Sequence, residues 1–151
     1  MDKPITHIPD LDKSVPFIMG LAYKQFRTLT THALATQFDI TLEMLGALRV
    51  LAHLGEVPQQ TLSDALCRER SVTKRLVDNC IKRELIEVKK SEINKKARLL
   101  TITDKGLSVK NEANKIVTAI ASDYFSPLSD DEYALMLKLS KKLIREDLMT
   151  I

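Results

Sequence analysis

Glycine is scarce in this sequence, four residues of 151, and none is grouped into the Gly-rich loop that cradles a nucleotide phosphate. Cysteine is scarcer still. Cys67 and Cys80 give neither the density of a secreted disulfide scaffold nor the CxxC spacing of a zinc or redox pair, so both are expected as free thiols. His7, His32 and His53 are far apart, and no HExxH pair or Cys/His cluster offers metal ligands. No nucleophile motif organises the serines, histidines and aspartates. No apolar run approaches the roughly 18 residues of a membrane helix, and Met1-Asp2-Lys3-Pro4 opens without a basic region leading into an apolar one. These absences speak against an enzyme, a cofactor, a metal and a membrane segment, and they predict a cytoplasmic protein.

What is present is enough apolar material for a core and an uneven spread of charge. The hydrophobic content is 44%, which excludes disordered and fibrous classes, and the length suits a single domain over residues 1–151. The net charge of +3 hides an asymmetry. Residues 68–110 hold 13 Lys+Arg against 6 Asp+Glu, net +7, while the remainder holds 10 against 14, net −4. Basic charge concentrated in this way is the footprint of a polyanion-binding face.

That basic stretch coincides with an ordered set of elements. Gln59 to Leu66 has Leu62, Ala65 and Leu66 at the i, i+3, i+4 spacing of a helix with one buried face. A basic helix from Ser71 to about Glu84 follows. Ser71 is its expected cap, and Val72, Leu76, Val77, Cys80 and Ile81 form its apolar stripe. Ile86 to Lys89 and Arg98 to Ile102 then alternate as half-buried strands do, around the polar stretch from Lys90 to Lys96. Helix, basic helix and hairpin in this order predict a winged helix-turn-helix over about residues 41–103, and hence DNA binding.

Helices flank this unit on both sides. Ser14-Val15-Pro16 starts one that runs to about Thr36, with residues 1–13, including Pro4 and Pro9, expected to be irregular. Thr41 caps the next, which Gly55 and Pro58 close. After the hairpin, Thr103 to Gly106 opens a helix that Pro127 ends. Ser129-Asp130-Asp131-Glu132 forms a capping box for a last helix reaching about Leu148. The terminal helices, about 14–36 and 104–148, carry more apolar side chains than one small winged unit can cover, which predicts a twofold dimer. The expected fold class is therefore mainly α with a small β-wing, a winged helix-turn-helix domain flanked by N- and C-terminal dimerisation helices.

Arg75-Leu76-Val77-Asp78, Lys82-Arg83 and Leu85-Ile86 resemble the R-L-V-D-R-L-x-K-R-G-L-I pattern of the MarR family of bacterial regulators. Without a gap, Asn94-Lys95-Lys96-Ala97 stands where that family usually has D-R-R-A, and Ile102-Thr103-Asp104-Lys105-Gly106 where it has L-T-E-K-G. The resemblance implies a homodimer joined through both chain ends, a wing in the minor groove, and repression relieved by a small ligand or an oxidant. In the family the first wing arginine commonly reaches the minor groove and the second pairs with the recognition-helix aspartate. The matching positions are Lys95, Lys96 and Asp78. A lysine stays cationic but lacks the planar fork of a guanidinium, which weakens reading of groove width. Glu84 replaces a glycine where a left-handed residue is favoured.

On the basic helix, Ser71, Lys74, Arg75 and Asp78 lie at i, i+3, i+4 and i+7, opposite the apolar stripe. Lys74 and Arg75 suit guanine edges or a phosphate, while Thr73, at the margin, suits a phosphate. Asp78, which phosphate repels, is expected to hold Lys96 or Arg75. The expected DNA-binding set is thus Arg70, Ser71, Thr73, Lys74, Arg75, Lys95 and Lys96, with an Asp78–Lys96 salt bridge. A ligand pocket is expected from Tyr23, Phe26, His32 and Met44. Cys80 suits a small buried hydrophobe, whereas Cys67, beside Arg68 and Arg70, is the candidate for oxidation. The leading reading is a ligand-responsive repressor that binds a pseudopalindromic operator of double-stranded DNA as a homodimer. Its alternatives are a winged-helix module that binds a protein partner and a cysteine-based redox regulator.

Overall fold

A computed structural model describes residues 8–149; Pro4 and His7 lie outside them. Seven α-helices and one two-stranded sheet occur in the order α1 (Pro9–Asp12), α2 (Val15–Phe38), α3 (Leu42–Leu54), α4 (Gln59–Leu66), α5 (Arg70–Lys82), β1 (Ile86–Lys90), β2 (Arg98–Ile102), α6 (Asp104–Tyr124) and α7 (Asp130–Leu143). A 3-10 turn, Glu146–Leu148, follows. This is the expected class, mainly α with a β-wing.

Side chains of the predicted type mark most helix starts. Ser14, Thr41, Thr103 and Ser129 each accept a hydrogen bond from a backbone N–H three residues on. At Ser129 the Glu132 carboxylate returns the bond to complete the capping box, and these bonds hold the carboxyl below its usual range. Asp39 and Cys67 end α2 and α4 in the left-handed conformation at φ 53°, and Gly55 ends α3 at φ 81°.

Three boundaries differ from the expectations. Pro9–Asp12 is one helical turn rather than irregular chain, because Pro9 takes an N-terminal position whose missing N–H costs nothing. The basic helix begins one residue early. Glu69 occupies its N-cap without a side-chain bond, and Ser71 lies inside the first turn instead of capping it. The last helix stops at Leu143, where Ile144 turns extended, and the chain reaches Leu148 through the short 3-10 turn.

The core lies where α3 crosses α4, α5 and α6. Leu45, Leu48 and Leu51 of α3, Leu62 of α4, Val77 and Cys80 of α5, and Leu85 and Ile86 at the start of the hairpin are buried together with Leu34 and Ala113. Complete burial of such a side chain contributes about 1.5 to 3 kcal/mol. The hairpin is antiparallel in the register Ile86↔Ile102 to Lys90↔Arg98. Val57, between α3 and α4, adds a third, one-residue rung by exchanging both backbone bonds with Leu100. The wing base is thereby fastened to the helices.

Where the wing leaves the sheet, α6 is locked to the end of α5. The Thr103 N–H donates to the Leu85 carbonyl at 3.0 Å, and its hydroxyl donates to the Glu84 carbonyl at 2.6 Å. Gly106 passes so close to the Leu85 carbonyl that an added Cβ would collide with it. Glu84 has φ 60° at the position where the sequence pattern favours glycine.

Candidate nucleic-acid interface

Thr73, Leu76, Val77 and Cys80 bury the inner face of α5. Arg70, Ser71, Lys74, Arg75 and Asp78 are exposed on the other. Thr73 does not face solvent at the margin as expected. It is completely buried, and its hydroxyl donates to the Glu69 carbonyl at 3.1 Å, so it is not free to donate to a phosphate. That bond secures the first turn of a helix that lacks a side-chain cap.

Asp78 does not pair with Lys96. Its Oδ2 accepts from Lys74 Nζ at 2.8 Å, one turn back along the same helix, and both side chains are largely exposed. The wing tip is organised internally instead. The Lys96 N–H donates to Asn94 Oδ1 at 3.2 Å, and the Ala97 N–H donates to the Asn94 carbonyl at 2.9 Å. Lys95 and Lys96 point into solvent.

Cationic groups on this face differ in their pairing. Among the described residues, Arg70, Arg75, Lys82, Lys90, Lys95, Lys96 and Arg98 form no salt bridge. Lys89, opposite Leu99 in the hairpin, meets Glu56 at 3.3 Å. An unpaired cation keeps its full attraction for a phosphate, since no internal carboxylate competes for it. Lys82, one turn beyond Asp78 on the same helical series, and Lys90 and Arg98 on the hairpin extend this surface beyond the residues named from the sequence. The signal for them was the charge excess itself.

Two arginines missed by the sequence reading hold α5 in place. Arg83 Nε donates to the Asp39 carbonyl at 2.7 Å and lies 3.3 Å from its carboxylate, while Nη1 donates to the Asn79 carbonyl at 3.0 Å. The end of α5 is thereby pinned to the turn between α2 and α3. Arg68 Nη2 meets Glu43 Oε1 at 3.1 Å, and Arg27 of α2 stands 4.0 Å from the same oxygen. The turn that launches α5 is thus tied to α3 and α2.

Tyr23, Phe26, His32 and Met44 are not brought together. Met44 is in the core, Tyr23 and His32 are exposed, and Phe26 packs at a tilt against Tyr124 and Phe125 with centroids 5.8 and 6.0 Å away. A cleft of about 450 Å³ opens instead between α2 and α6, lined by Leu21, Lys24, Gln25, Thr28, Leu29 and Tyr124. The Tyr124 hydroxyl at its edge donates to the Ala22 carbonyl at 2.8 Å. None of the four expected residues lines this cleft: Tyr23, Phe26 and His32 lie on α2 but are turned to other sides of it, and Met44 belongs to α3.

Of the two free thiols, Cys80 is buried and Cys67 exposed. Burial pushes the Cys80 thiol up to about 12, against a smaller opposing effect of Arg83. Cys67 ends α4, with Sγ 3.7 Å from the Asp64 carbonyl and 3.8 Å from Met149 Sδ. Among the described residues no group of three or more His, Cys, Asp or Glu side chains is placed to hold a metal, and no helix is long and apolar enough to cross a membrane.

No family model matches the chain. It is 26% identical over 144 residues to the HTH-type transcriptional regulator YsmB of Bacillus subtilis, covering 95% of each chain. Solved structures share its fold, two of them as follows. A MarR variant from E. coli complexed with operator DNA superposes with TM-score 0.79 at 18% identity, over 87% of this chain and 95% of that one. BpsR of Bordetella bronchiseptica, described with regulation of its DNA binding by 6-hydroxynicotinic acid, gives 0.80 at 17% identity, over 87% and 94%.

Proposed function

We propose that this chain, which has the fold of the MarR-family regulators, is a sequence-specific DNA-binding transcriptional regulator that works as a homodimer. The observation that carries the reading is the unpaired cationic surface shared by α5 and the wing, on a helix whose back is locked into the core. Arg75 and Lys74 face the major groove, Arg70 and Ser71 the adjoining phosphates, and Lys95 and Lys96 the minor groove or its flanks. The protein acts by binding, without catalysis, and in the cytoplasm. Residues 1–151 form one functional unit.

The dimer is supported by apolar surface that one chain leaves uncovered. No residue of α7 is buried, and Tyr133, Leu135, Met136, Leu139, Leu143 and Ile144 are each about half exposed or more. A second copy covers such a surface at low cost and brings two recognition helices onto one duplex. The α2–α6 cleft, lined by Leu21, Leu29 and the Tyr124 ring with Lys24, Gln25 and Thr28 as its polar groups, suits a small organic acid. Such an effector releases DNA by favouring a conformation whose recognition helices no longer fit successive grooves, and repression is then relieved.

Footprinting on fragments selected from genomic DNA tests this reading. Two protected half-sites with centres about 10 base pairs apart are expected. Protection without twofold symmetry, or a monomer at micromolar concentration, overturns the dimeric reading. Binding without any salt dependence overturns the DNA interface.

A further inference from the structure

The apex of the wing carries an isoleucine that touches nothing. Ile93 is 99% exposed, and it stands on a tip closed by its own hydrogen bonds. The Ser91 N–H donates to the Ala97 carbonyl at 3.0 Å, and the Asn94 N–H donates to Ser91 Oγ at 3.2 Å. Asn94 then accepts from Lys96 and Ala97. A turn braced in this way holds its apex outward, away from the fold's own apolar surface. Lys95 and Lys96 follow two and three residues later, without carboxylate partners among the described residues.

We propose that Ile93 is a minor-groove contact, lying against the deoxyribose walls of the operator while Lys95 and Lys96 meet the phosphates on either side. The inference rests on the DNA-binding reading above and deepens it. Isolated apolar residues are common on protein surfaces, so the position carries the argument. This one is in the turn of a hairpin, two and three residues before Lys95 and Lys96, cations that draw a polyanion to it and outnumber the one neighbouring carboxylate, Glu92. Architectural DNA-binding proteins use isoleucine and similar side chains in the minor groove. With lysines in place of guanidinium groups, the tip lacks the fork that reads a groove by planar hydrogen bonding. Apolar contact supplies a different preference. The guanine 2-amino group projects into the minor groove and A·T pairs have nothing there, so a branched aliphatic side chain seats more deeply over A·T.

The test uses the full chain and a duplex that it selects from a random pool, with the wing-facing pairs varied as A·T, G·C and inosine·C. Inosine lacks the 2-amino group. Ile93→Ser is expected to weaken binding to the A·T duplex by about four- to twelvefold, the equivalent of losing half the burial of such a side chain. Its salt slope stays unchanged, because no ion is released by an apolar contact. Ile93→Leu keeps the parent affinity. The parent discriminates G·C from both A·T and inosine·C, Ile93→Ser does not, and hydroxyl-radical protection of the wing-facing sugars is lost in Ile93→Ser.

Equal affinity of Ile93→Ser and parent on the A·T duplex overturns the proposal, as does a lowered salt slope in that variant. Retained DNA affinity with loss of self-association overturns it too, by placing Ile93 against a second copy. If the parent itself selects no duplex, the DNA-binding reading falls and takes this one with it. That result differs from every other because it appears before any substitution is made.

Discussion

Lys74 Nζ and Asp78 Oδ2 stand 2.8 Å apart, one turn from each other on the exposed face of α5. The pair places a carboxylate on the surface proposed to meet phosphate and ties up a cation that would otherwise be free. An exposed i, i+4 pair contributes little to stability, about 0.3 to 0.5 kcal/mol. Asp78→Ala should therefore leave the urea midpoint almost unchanged while tightening binding to mixed-sequence DNA at low salt. The gain should shrink as salt rises, and the preference for operator over mixed DNA should fall, because Lys74 loses its fixed orientation. Anisotropy titrations on both duplexes over a salt series check this; unchanged binding on both would show that the pair has no part in recognition.

The junction between α5 and the wing gives an opposed pair of stability changes. A Cβ at Gly106 collides with backbone, the Leu85 carbonyl, which cannot swing aside as a side chain would. Gly106→Ala should destabilise by about 1 to 3 kcal/mol. Glu84 holds φ 60° at a cost of roughly 1 to 2 kcal/mol for a residue with a Cβ. Glycine removes that strain and loses roughly 0.5 to 1 kcal/mol in backbone entropy. The ion pair to Lys105 at 3.8 Å is too exposed to matter. Glu84→Gly should be stabilising by about 0.5 to 1 kcal/mol in urea unfolding, and a loss of stability would show that the left-handed residue carries no strain.

These examples also show what was legible in the sequence. Caps are local, so Ser14, Thr41, Thr103 and the Ser129 capping box could be read from neighbouring residues, and helix and strand order followed from periodicity. The strain at Glu84 was visible because a glycine position held a side chain. Lys74–Asp78 was legible by its i, i+4 spacing, yet the family pattern pointed to Lys96, and at the wing tip Asn94 satisfies the backbone without Asp78. Thr73 was misplaced because helical spacing alone sets a marginal residue only to within a fraction of a turn. The Val57–Leu100 rung, the Arg68–Glu43 and Arg83–Asp39 links and the α2–α6 cleft depend on how distant segments cross, which no local pattern encodes.

The two cysteines should separate cleanly by chemistry. At pH 8 a thiol reagent should modify exposed Cys67 in the native protein and reach Cys80 only on unfolding. Burial raises the Cys80 pKa to about 12 in the folded state, above an unfolded value near 8.5. Its contribution to stability is thus complete below about pH 8.5 and is lost as pH rises toward 12, because only the unfolded chain gives up the proton in that interval. Urea midpoints measured from pH 8 to 11 should fall less steeply in Cys80→Ala than in the parent. Parallel slopes would mean that the thiol ionises as easily folded as unfolded.

Arg75 and Lys95 should differ in kind as DNA contacts. Arg75 leaves the middle of α5, the helix proposed to face base edges, so Arg75→Ala should cost about 1 to 3 kcal/mol and relax preference at one operator position. Lys95 leaves the wing, where flanking phosphates are within its reach. Lys95→Ala should weaken binding to all sequences alike and lower the slope of log K against log salt by about one, the signature of one phosphate no longer neutralised. Both side chains are exposed and unpaired among the described residues, so neither change should disturb the fold, and the urea midpoint serves as the control. Titration of the two variants against the selected duplex and its single-position variants at several salt concentrations separates base reading from phosphate attraction. If Arg75→Ala changes only the slope, or Lys95→Ala only the sequence preference, the assignments of helix to major groove and wing to phosphate are reversed.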